Sequence, residues 1–274
     1  MPQTLYCHQW GERRTSTLPV LMLHGHPGNG HAMAVFAEAL QNEYWALAPD
    51  LRGYGRSRAT AAFTMTDHLS DLATLLDRFE LERCLVLGWS LGGILAVELA
   101  LRYPERVCGT VLIATAARPR SNHPPTTLWD DMTTGLAATI NWFVPGWQWN
   151  IDTLGKRSLF RYLVQQHTPT TYAYFAHTAV PAYLKTSRYA RQALSTALKQ
   201  RYNRLPDLPK LHCPALVMAA EHDRHITCAS SRETARAIPN STWIGYDDVA
   251  HLFPWEIPQR VRTDLKTWMQ QHGF

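Results

Sequence analysis

The chain has 274 residues, of which 46% are hydrophobic and 18% charged, and this composition is typical of a globular protein with one large domain or a core with one sizeable insertion. It excludes a disordered tail protein and a small disulfide-stapled protein. The net charge of +5 is too small to indicate nucleic-acid binding.

The cysteines and the hydropathy of the chain indicate in which compartment the protein is expected. The five cysteines are widely spaced, form no Cys-x-x-Cys pair and predict buried free thiols in a reducing compartment; they are Cys7, Cys84, Cys108, Cys213 and Cys228. No stretch approaches the ~20 apolar residues that span a bilayer, and no apolar signal segment begins the chain. We therefore expect a soluble, cytoplasmic protein that binds neither membranes nor nucleic acid.

Short apolar runs alternate with helical patterns along most of the chain. The predicted strands are residues 19–23, 44–48, 84–88, 107–114, 215–220 and 242–246. The predicted helices are residues 32–40, 66–79, 91–102, 230–238 and 258–270. This alternation predicts an α/β fold with a mostly parallel sheet flanked by helices.

The alternation stops after Ala114. From Arg118 to Pro206 no strand is predicted, and the sequence is aromatic and helix-leaning after a proline-rich start. Strands on both sides are needed for one sheet, so we predict a helical cap (residues 118–206) inserted into a core of residues 1–117 and 207–274. Most cap aromatic side chains are expected to pack in a core, and some to face a pocket.

Charge is unevenly distributed between these regions. From Arg118 to Lys210 there are twelve basic and four acidic residues, a balance of +8, which leaves −3 for the rest. This surplus forms either a solvated face or a surface that receives an anionic substrate or an acidic carrier protein. Arg157 and Arg161 (i, i+4), and Arg188 and Arg191 (i, i+3), are spaced to share helix faces.

The sequence Gly88-Trp89-Ser90-Leu91-Gly92-Gly93 follows a predicted strand and precedes a predicted helix. The Gly-x-Ser-x-Gly pattern at such a junction predicts a sharp turn that holds Ser90 in a strained conformation with its hydroxyl exposed. Ser90 is therefore the candidate nucleophile.

A serine nucleophile requires a base, and the base requires an orienting acid, in the chain order Ser, Asp or Glu, His. Asp223 and His251 meet this order, each just past a predicted strand, where sites of open α/β sheets are built. Asp247 and Asp248 are the competing acids, although their position is more typical of a turn.

Attack of a serine on a carbonyl group produces a negatively charged oxygen, the oxyanion, which needs two hydrogen-bond donors. The backbone N–H groups of Leu91, after the nucleophile, and of His26, after the first predicted strand, are the candidates. Trp89 and His24 are predicted to border the substrate pocket, and His24 also to brace its loop. The spacing of His24 and His26 lacks the partner ligands of a metal site, so no metal is expected.

The sequence resembles the α/β-hydrolase superfamily with a helical cap. The motifs that carry the resemblance span nearly the whole chain. They are His24-Gly25-His26-Pro27, the loop 50–57, the strand-to-helix turn 88–93 (here called the elbow), Glu221-His222-Asp223, and His251 with Glu256 and Pro258. The resemblance implies a structural role for the loop 50–57, in which Arg52 ties loops together.

Within this superfamily, dehalogenases and epoxide hydrolases carry an aspartate where this chain has Ser90. The elbow and the following Tyr-Pro-Glu-Arg-Val are similar to esterases of pimeloyl-carrier-protein methyl esters. The resemblance implies hydrolysis of a small-molecule carboxylic ester without a cofactor. A C–C bond hydrolase of ring-cleavage products, a cofactor-free oxygenase and a ligand receptor on the same fold remain alternatives.

Overall fold

Seven strands form one sheet in the computed structural model, which describes all 274 residues. The strands are β1 (Cys7–Trp10), β2 (Val20–Leu23), β3 (Ala46–Pro49), β4 (Cys84–Trp89), β5 (Val107–Ile113), β6 (Ala215–Ala220) and β7 (Ser241–Tyr246). Their order in the sheet is β1-β3-β2-β4-β5-β6-β7. Only β1 is antiparallel to its neighbour, so the predicted mostly parallel sheet is confirmed.

Helices cover both faces of this sheet and fill the region between β5 and β6. The α-helices are α1 (Ala34–Leu40), α2 (Met65–Arg78), α3 (Leu91–Arg102), α4 (Leu128–Phe143), α5 (Gln148–Thr153), α6 (Pro169–Tyr174), α7 (Val180–Lys185), α8 (Arg188–Lys199), α9 (Cys228–Ala237), α10 (Phe253–Glu256) and α11 (Pro258–Gln271). Short 3₁₀ turns occur at Gly30–Met33, Gly155–Arg157, Leu159–Tyr162 and Leu205–Lys210, and a π-helical turn at Phe175–Ala179. None of the helices is both long and apolar enough to cross a membrane.

Side chains of each strand alternate between two buried layers. In β2, Val20 and Met22 belong to one hydrophobic cluster, whereas Leu21 and Leu23 belong to the other. Successive strand residues point to opposite faces, so a strand covered on both sides reads as an unbroken apolar run. This explains why β2, β4 and β6 are recognisable in the sequence.

The six predicted strands and five predicted helices of the core are present, with ends that differ by at most two residues. The sequence analysis missed β1, which pairs antiparallel with β3 from Cys7 opposite Pro49 to Trp10 opposite Ala46. As an edge strand, β1 is only partly buried, so its sequence Cys-His-Gln-Trp lacks an apolar run.

The segment of residues 118–206, here called the inserted segment, contains α4 to α8 and no strand. Phe160, Tyr172 and Phe175 are buried in the same hydrophobic cluster as the core residues Trp89 and Trp255. The expected core packing is wrong for the tryptophans of the segment, which are 46–66% exposed: Trp129, Trp142, Trp147 and Trp149. They lie on the outer side of the segment, away from the buried cluster.

Two further expectations need correction. Arg157 and Arg161 do not share a helix face, because Ser158, in an extended conformation, separates the two 3₁₀ turns that carry them. All five cysteines are free thiols, but only Cys84 is fully buried. The others are half-buried at edges of the fold, as for Cys7 in β1 and Cys228 at the first residue of α9.

Several histidines are buried in uncharged form. Burial lowers the pKa of His68, on α2, to about 3, and that of His24 to about 4. The unfolded chain binds a proton on each of these rings near pH 6.5, whereas the folded chain does not. The free energy of unfolding therefore falls as the pH drops below about 6.5, by ~1.4 kcal/mol per pH unit for each such histidine, until the pKa of the folded state is reached.

The variant H68L tests this linkage, because the His68 ring makes no hydrogen bond and its Nδ1 atom is buried without a partner. We expect the free energy of unfolding of H68L to fall ~1.4 kcal/mol less per pH unit between pH 6 and pH 4 than that of the original chain. Urea unfolding at several pH values measures this. H177Q, at an exposed histidine, should keep the original slope, and equal slopes for all three proteins would contradict the prediction.

Candidate active site

The turn between β4 and α3 places Ser90 at the carboxyl edge of the sheet. Ser90 has φ 54° and ψ −116°, a strained conformation for a residue with a side chain. Glycine is required on both sides, because a Cβ atom at Gly88 would lie 2.2 Å from the Gly92 oxygen, and one at Gly92 would lie 1.9 Å from the Leu23 oxygen. The hydroxyl thus stands at a tight strand-to-helix turn, as the sequence pattern predicts.

Asp223 and His251 lie beyond the carboxyl ends of β6 and β7, and both meet Ser90. The His251 Nε2 atom is 3.2 Å from the Ser90 Oγ atom, and the His251 Nδ1 atom is 2.7 Å from Asp223 Oδ2. His251 and Asp223 are buried, whereas Ser90 is half-buried. The three residues predicted from chain order therefore form one continuous row of hydrogen bonds.

The other carboxylates near His251 in sequence point elsewhere. Asp247 and Asp248 are both exposed, and neither is hydrogen-bonded to His251. Asp248 has φ 55°, a left-handed conformation that aspartate tolerates in turns. These two residues form the turn that leads from β7 to His251.

The loop after β2 lies directly against Ser90. A Cβ atom at Gly25 would lie 2.7 Å from the Trp89 ring and 3.1 Å from the Ser90 Cβ atom, so only glycine permits this approach. Neither the His26 N–H, one residue further on, nor the Leu91 N–H at the start of α3 donates a hydrogen bond within the protein. Both N–H groups are thus available to an acceptor near Ser90.

His24 and Trp89, which were predicted to border the substrate pocket, are both buried in the structure. His24 is inaccessible to solvent; its Nδ1–H donates to the Gly25 oxygen (2.8 Å) and its Nε2 accepts from the Leu51 N–H (3.1 Å). These hydrogen bonds let His24 brace its loop, as the sequence analysis also expects. Trp89 is 4% exposed. The centroid of its ring lies 5.7 Å from that of the His251 ring and 4.8 Å from that of the Trp255 ring.

The loop 50–57 is held in place by hydrogen bonds within itself and to neighbouring parts of the fold. The Asp50 carboxylate accepts hydrogen bonds from the N–H groups of Gly30 and Arg56, each 2.7 Å long. The Arg52 guanidinium donates to Asp71 on α2 (2.7 Å). These contacts tie the loop to its neighbours, which agrees with the role that the resemblance implies.

Glu256 links the His251 loop to the inserted segment, a role that the sequence analysis did not assign. Its carboxylate accepts hydrogen bonds from the N–H groups of Ala250 (2.8 Å), Gln165 (2.8 Å) and Gln166 (2.5 Å). Burial raises the pKa of Glu256, and the three N–H donors oppose part of that rise. A carboxylate inside the apolar run Leu-Phe-Pro-Trp-Glu was the available signal in the sequence.

A second imidazole lies beside His251. The ring of His225 is 5.3 Å from that of His251 and 5.0 Å from that of His123, in the inserted segment. The His225 Nε2 atom is inaccessible and has no hydrogen-bond partner. Burial, and next the proximity of His251, lowers the pKa of His225 to about 3, so the ring is neutral. No sequence signal links His123 to this group.

The inserted segment also brings a cation near His26, in the loop after β2. The His26 Nδ1 atom is 2.8 Å from the Tyr54 hydroxyl oxygen. Burial, followed by the positive charge of Arg191 on α8, lowers the pKa of His26 to about 4. No group of three or more His, Cys, Asp or Glu side chains in the protein is arranged to hold a metal ion.

The sheet, the elbow and the row of hydrogen bonds define a hydrolase of the α/β class. The chain belongs to the alpha/beta hydrolase family, which it matches over residues 20–264. The family predicted from the motifs is thereby confirmed.

Solved structures give the same assignment. The chain is 25% identical to a thermophilic esterase from Thermogutta terrifontis, solved with malate bound, with a TM-score of 0.71 over 98% of this chain and 94% of that one. It is 23% identical to an enol-lactonase from Burkholderia xenovorans LB400 (TM-score 0.72, 97% and 96% covered). It is 18% identical to a meta-cleavage product hydrolase from Pseudomonas fluorescens IP01 (TM-score 0.71, 98% and 94% covered). At these identities the last two likenesses concern the fold alone.

Proposed function

We propose that this protein is a serine hydrolase that cleaves carboxylic esters by two-step acyl transfer. The observation that carries the proposal is the row of hydrogen bonds from Ser90 through His251 to Asp223. The acceptor Asp223 keeps the proton of His251 on Nδ1, which leaves Nε2 free to take the proton of the Ser90 hydroxyl.

In the first step the Ser90 oxygen attacks the ester carbonyl carbon while its proton moves to His251 Nε2. The carbonyl oxygen becomes an oxyanion, which the N–H groups of Leu91 and His26 stabilise. The tetrahedral intermediate then collapses, the C–O bond to the alcohol breaks, and His251 returns the proton to the leaving alkoxide. An acyl group remains on Ser90.

The second step repeats this chemistry with water. His251 takes a proton from a water molecule, whose oxygen attacks the acyl carbon, and the same N–H groups hold the oxyanion. Collapse releases the carboxylic acid and returns the proton to Ser90. Each proton and electron pair is accounted for by the ester, water and protein, so the scheme uses no cofactor.

We further propose that residues 118–206 act as a cap over the core of residues 1–117 and 207–274. Three contacts beside His251 support this role. The Leu252 N–H donates to the Leu163 oxygen (2.9 Å), the rings of Tyr174 and Trp255 are 4.3 Å apart, and Glu256 binds the N–H groups of two cap residues.

A series of p-nitrophenyl esters with acyl chains of increasing length tests the proposal. We expect a burst of about one p-nitrophenol per protein and then steady turnover, because the acyl group first accumulates on Ser90. S90A should show neither phase. The acyl chain that gives the highest kcat/KM would define the substrate class.

Three results would contradict the ester hydrolase. Binding of esters without turnover would indicate a receptor, turnover of a ring-cleavage product alone would indicate a C–C bond hydrolase, and oxygen uptake would indicate an oxygenase. Esterase activity is favoured among these because the likeness at 25% identity is to an esterase. The acidic carrier protein stays a prediction, and its one support is the positive charge of Arg191, which lowers the pKa of His26.

A further inference from the structure

The main chain on both sides of His251 is hydrogen-bonded towards the inserted segment. Ala250, before His251, donates its N–H to Glu256 Oε1 (2.8 Å), and Glu256 Oε2 in turn accepts from two N–H groups of the segment. Leu252, after His251, donates its N–H directly to the Leu163 oxygen (2.9 Å). The backbone of His251 therefore lies between two connections to the same part of the inserted segment.

That part of the segment, residues 163–168, forms neither helix nor strand, so its position depends on such contacts. The N–H groups of Gln165 and Gln166 have no backbone partner, and both donate to Glu256 Oε2 (2.8 Å and 2.5 Å). The Gln166 side chain also donates to the Asp248 oxygen (3.3 Å), in the turn that follows β7. One carboxylate thus makes most of the hydrogen bonds between this stretch and the loop that carries His251.

The Glu256 carboxylate is held by these N–H groups alone. Glu256 is 9% exposed, and none of the ion pairs in the protein includes it. A buried carboxylate without a cation destabilises a fold unless hydrogen-bond donors satisfy both of its oxygens. Only a carboxylate offers acceptors on both sides, so the side chain suits a link between two stretches of main chain that each present N–H donors.

We infer that Glu256 is a positioning residue, through which the inserted segment holds the backbone of His251 where its Nε2 atom meets Ser90. The inference rests on the proposed function, in which His251 takes the proton of the Ser90 hydroxyl. Glu256 is bonded to main-chain groups and not to the reacting atoms, so it acts only through the placement of the base. A misplacement of about 1 Å can lower a rate ~10²-fold, so the rate of acyl transfer should depend on this link more than ester binding does.

The variant E256Q breaks the link while keeping the size and shape of the side chain, because it replaces one acceptor oxygen with an NH₂ group. If the amide oxygen stays with Gln165 and Gln166, the NH₂ group faces the Ala250 N–H, and two donors oppose each other. The reverse orientation opposes donors on the side of the segment. We expect the rate constant of the p-nitrophenol burst at saturating ester to fall at least ~10-fold, with little change in the ester concentration that gives half of it.

A spectroscopic measurement separates a positioning role from a merely structural one. The His251 Nδ1–H is hydrogen-bonded to Asp223 (2.7 Å), and its proton resonance reports the placement of the ring. We expect this resonance to be broadened or lost in E256Q. The measurement needs no ester, so it tests the placement of His251 even if the original chain shows no burst, a result that would count against the proposed function alone.

D71N is the matched control for loss of a buried carboxylate. Asp71, on α2, is inaccessible to solvent and accepts from the Gln3 N–H (2.6 Å) and from Arg52 (2.7 Å). D71N should therefore lower the free energy of unfolding, as E256Q should, because each variant opposes an NH₂ group to a donor. Unlike E256Q, it should keep the burst rate constant and the Nδ1–H resonance of the original chain.

Hydrogen exchange of the original chain supplies a measurement that needs no variant. If the segment and the His251 loop are held together by Glu256, their separation frees all three N–H groups at once, so Ala250, Gln165 and Gln166 should show similar protection. Much faster exchange at Gln165 and Gln166 than at Ala250 would overturn the inference, because the segment would then leave the loop undisturbed. A folded E256Q with an unchanged burst rate constant and an unchanged Nδ1–H resonance would overturn it as well.

Discussion

Replacing Ser90 with alanine is expected to lower kcat for the best p-nitrophenyl ester by at least ~10³-fold while leaving the fold intact. The substitution removes the only atom that can carry the acyl group, so His251 loses the hydroxyl whose oxygen lies 3.2 Å from its Nε2 atom. Alanine occupies the same backbone conformation as serine, with φ near 54°, so the strained turn is kept.

The measurement pairs steady-state turnover with thermal unfolding. S70A, at a half-buried serine on α2, is the matched control and should keep full activity. A phosphonate ester that reacts with activated serines should label the original chain and S70A but not S90A. Near-normal turnover by a folded S90A protein would remove the basis of the proposed mechanism.

The core of the fold could be predicted because local sequence and tertiary position agree there. The buried strands of a parallel sheet read as short apolar runs, and the helices between them have clear ends, as for α2, where Thr64 and Asp67 form a capping box. Where one face of an element is open to water this signal weakens, which is why β1 was missed at the edge of the sheet.

The positions of Ser90, Asp223 and His251 could also be predicted, since all three follow strands whose carboxyl ends share one edge of the sheet. The orientation of the side chains around these three residues could not be predicted. The sequence places His24 beside the site but does not reveal that its two ring nitrogens bind the Gly25 oxygen and the Leu51 N–H. The proximity of His123 to His225 depends on how the inserted segment folds back, and no local pattern specifies that.

In helix α4 of the inserted segment, too, the orientation of the side chains could not be predicted from the sequence. Apolar residues at Trp129, Met132 and Leu136 have helical spacing, which ordinarily indicates the buried side. The structure reverses the sides because Asp130 and Asn141 have their own partners, one in a 3₁₀ turn and one on α6. Only the tertiary pairing of those polar groups decides which side of the helix meets water.

The second large effect is expected for D223N, which should lower kcat by up to ~10⁴-fold. One carboxylate oxygen of Asp223 accepts from the N–H groups of His225 (2.8 Å) and Ile226 (2.9 Å), and the other faces His251 Nδ1. In the variant, the amide oxygen must stay with the two N–H donors, so the NH₂ group is directed at His251.

An NH₂ group at that position requires an acceptor, so Nδ1 of His251 loses its proton and Nε2 gains it. A protonated Nε2 cannot accept the proton of Ser90, although the loop keeps its shape. D247N and D248N are the matched controls, since both aspartates are exposed and neither is hydrogen-bonded to His251, and each should retain nearly full kcat. If D247N or D248N abolishes turnover while D223N has a mild effect, the acid of the proposed mechanism is assigned to the wrong residue.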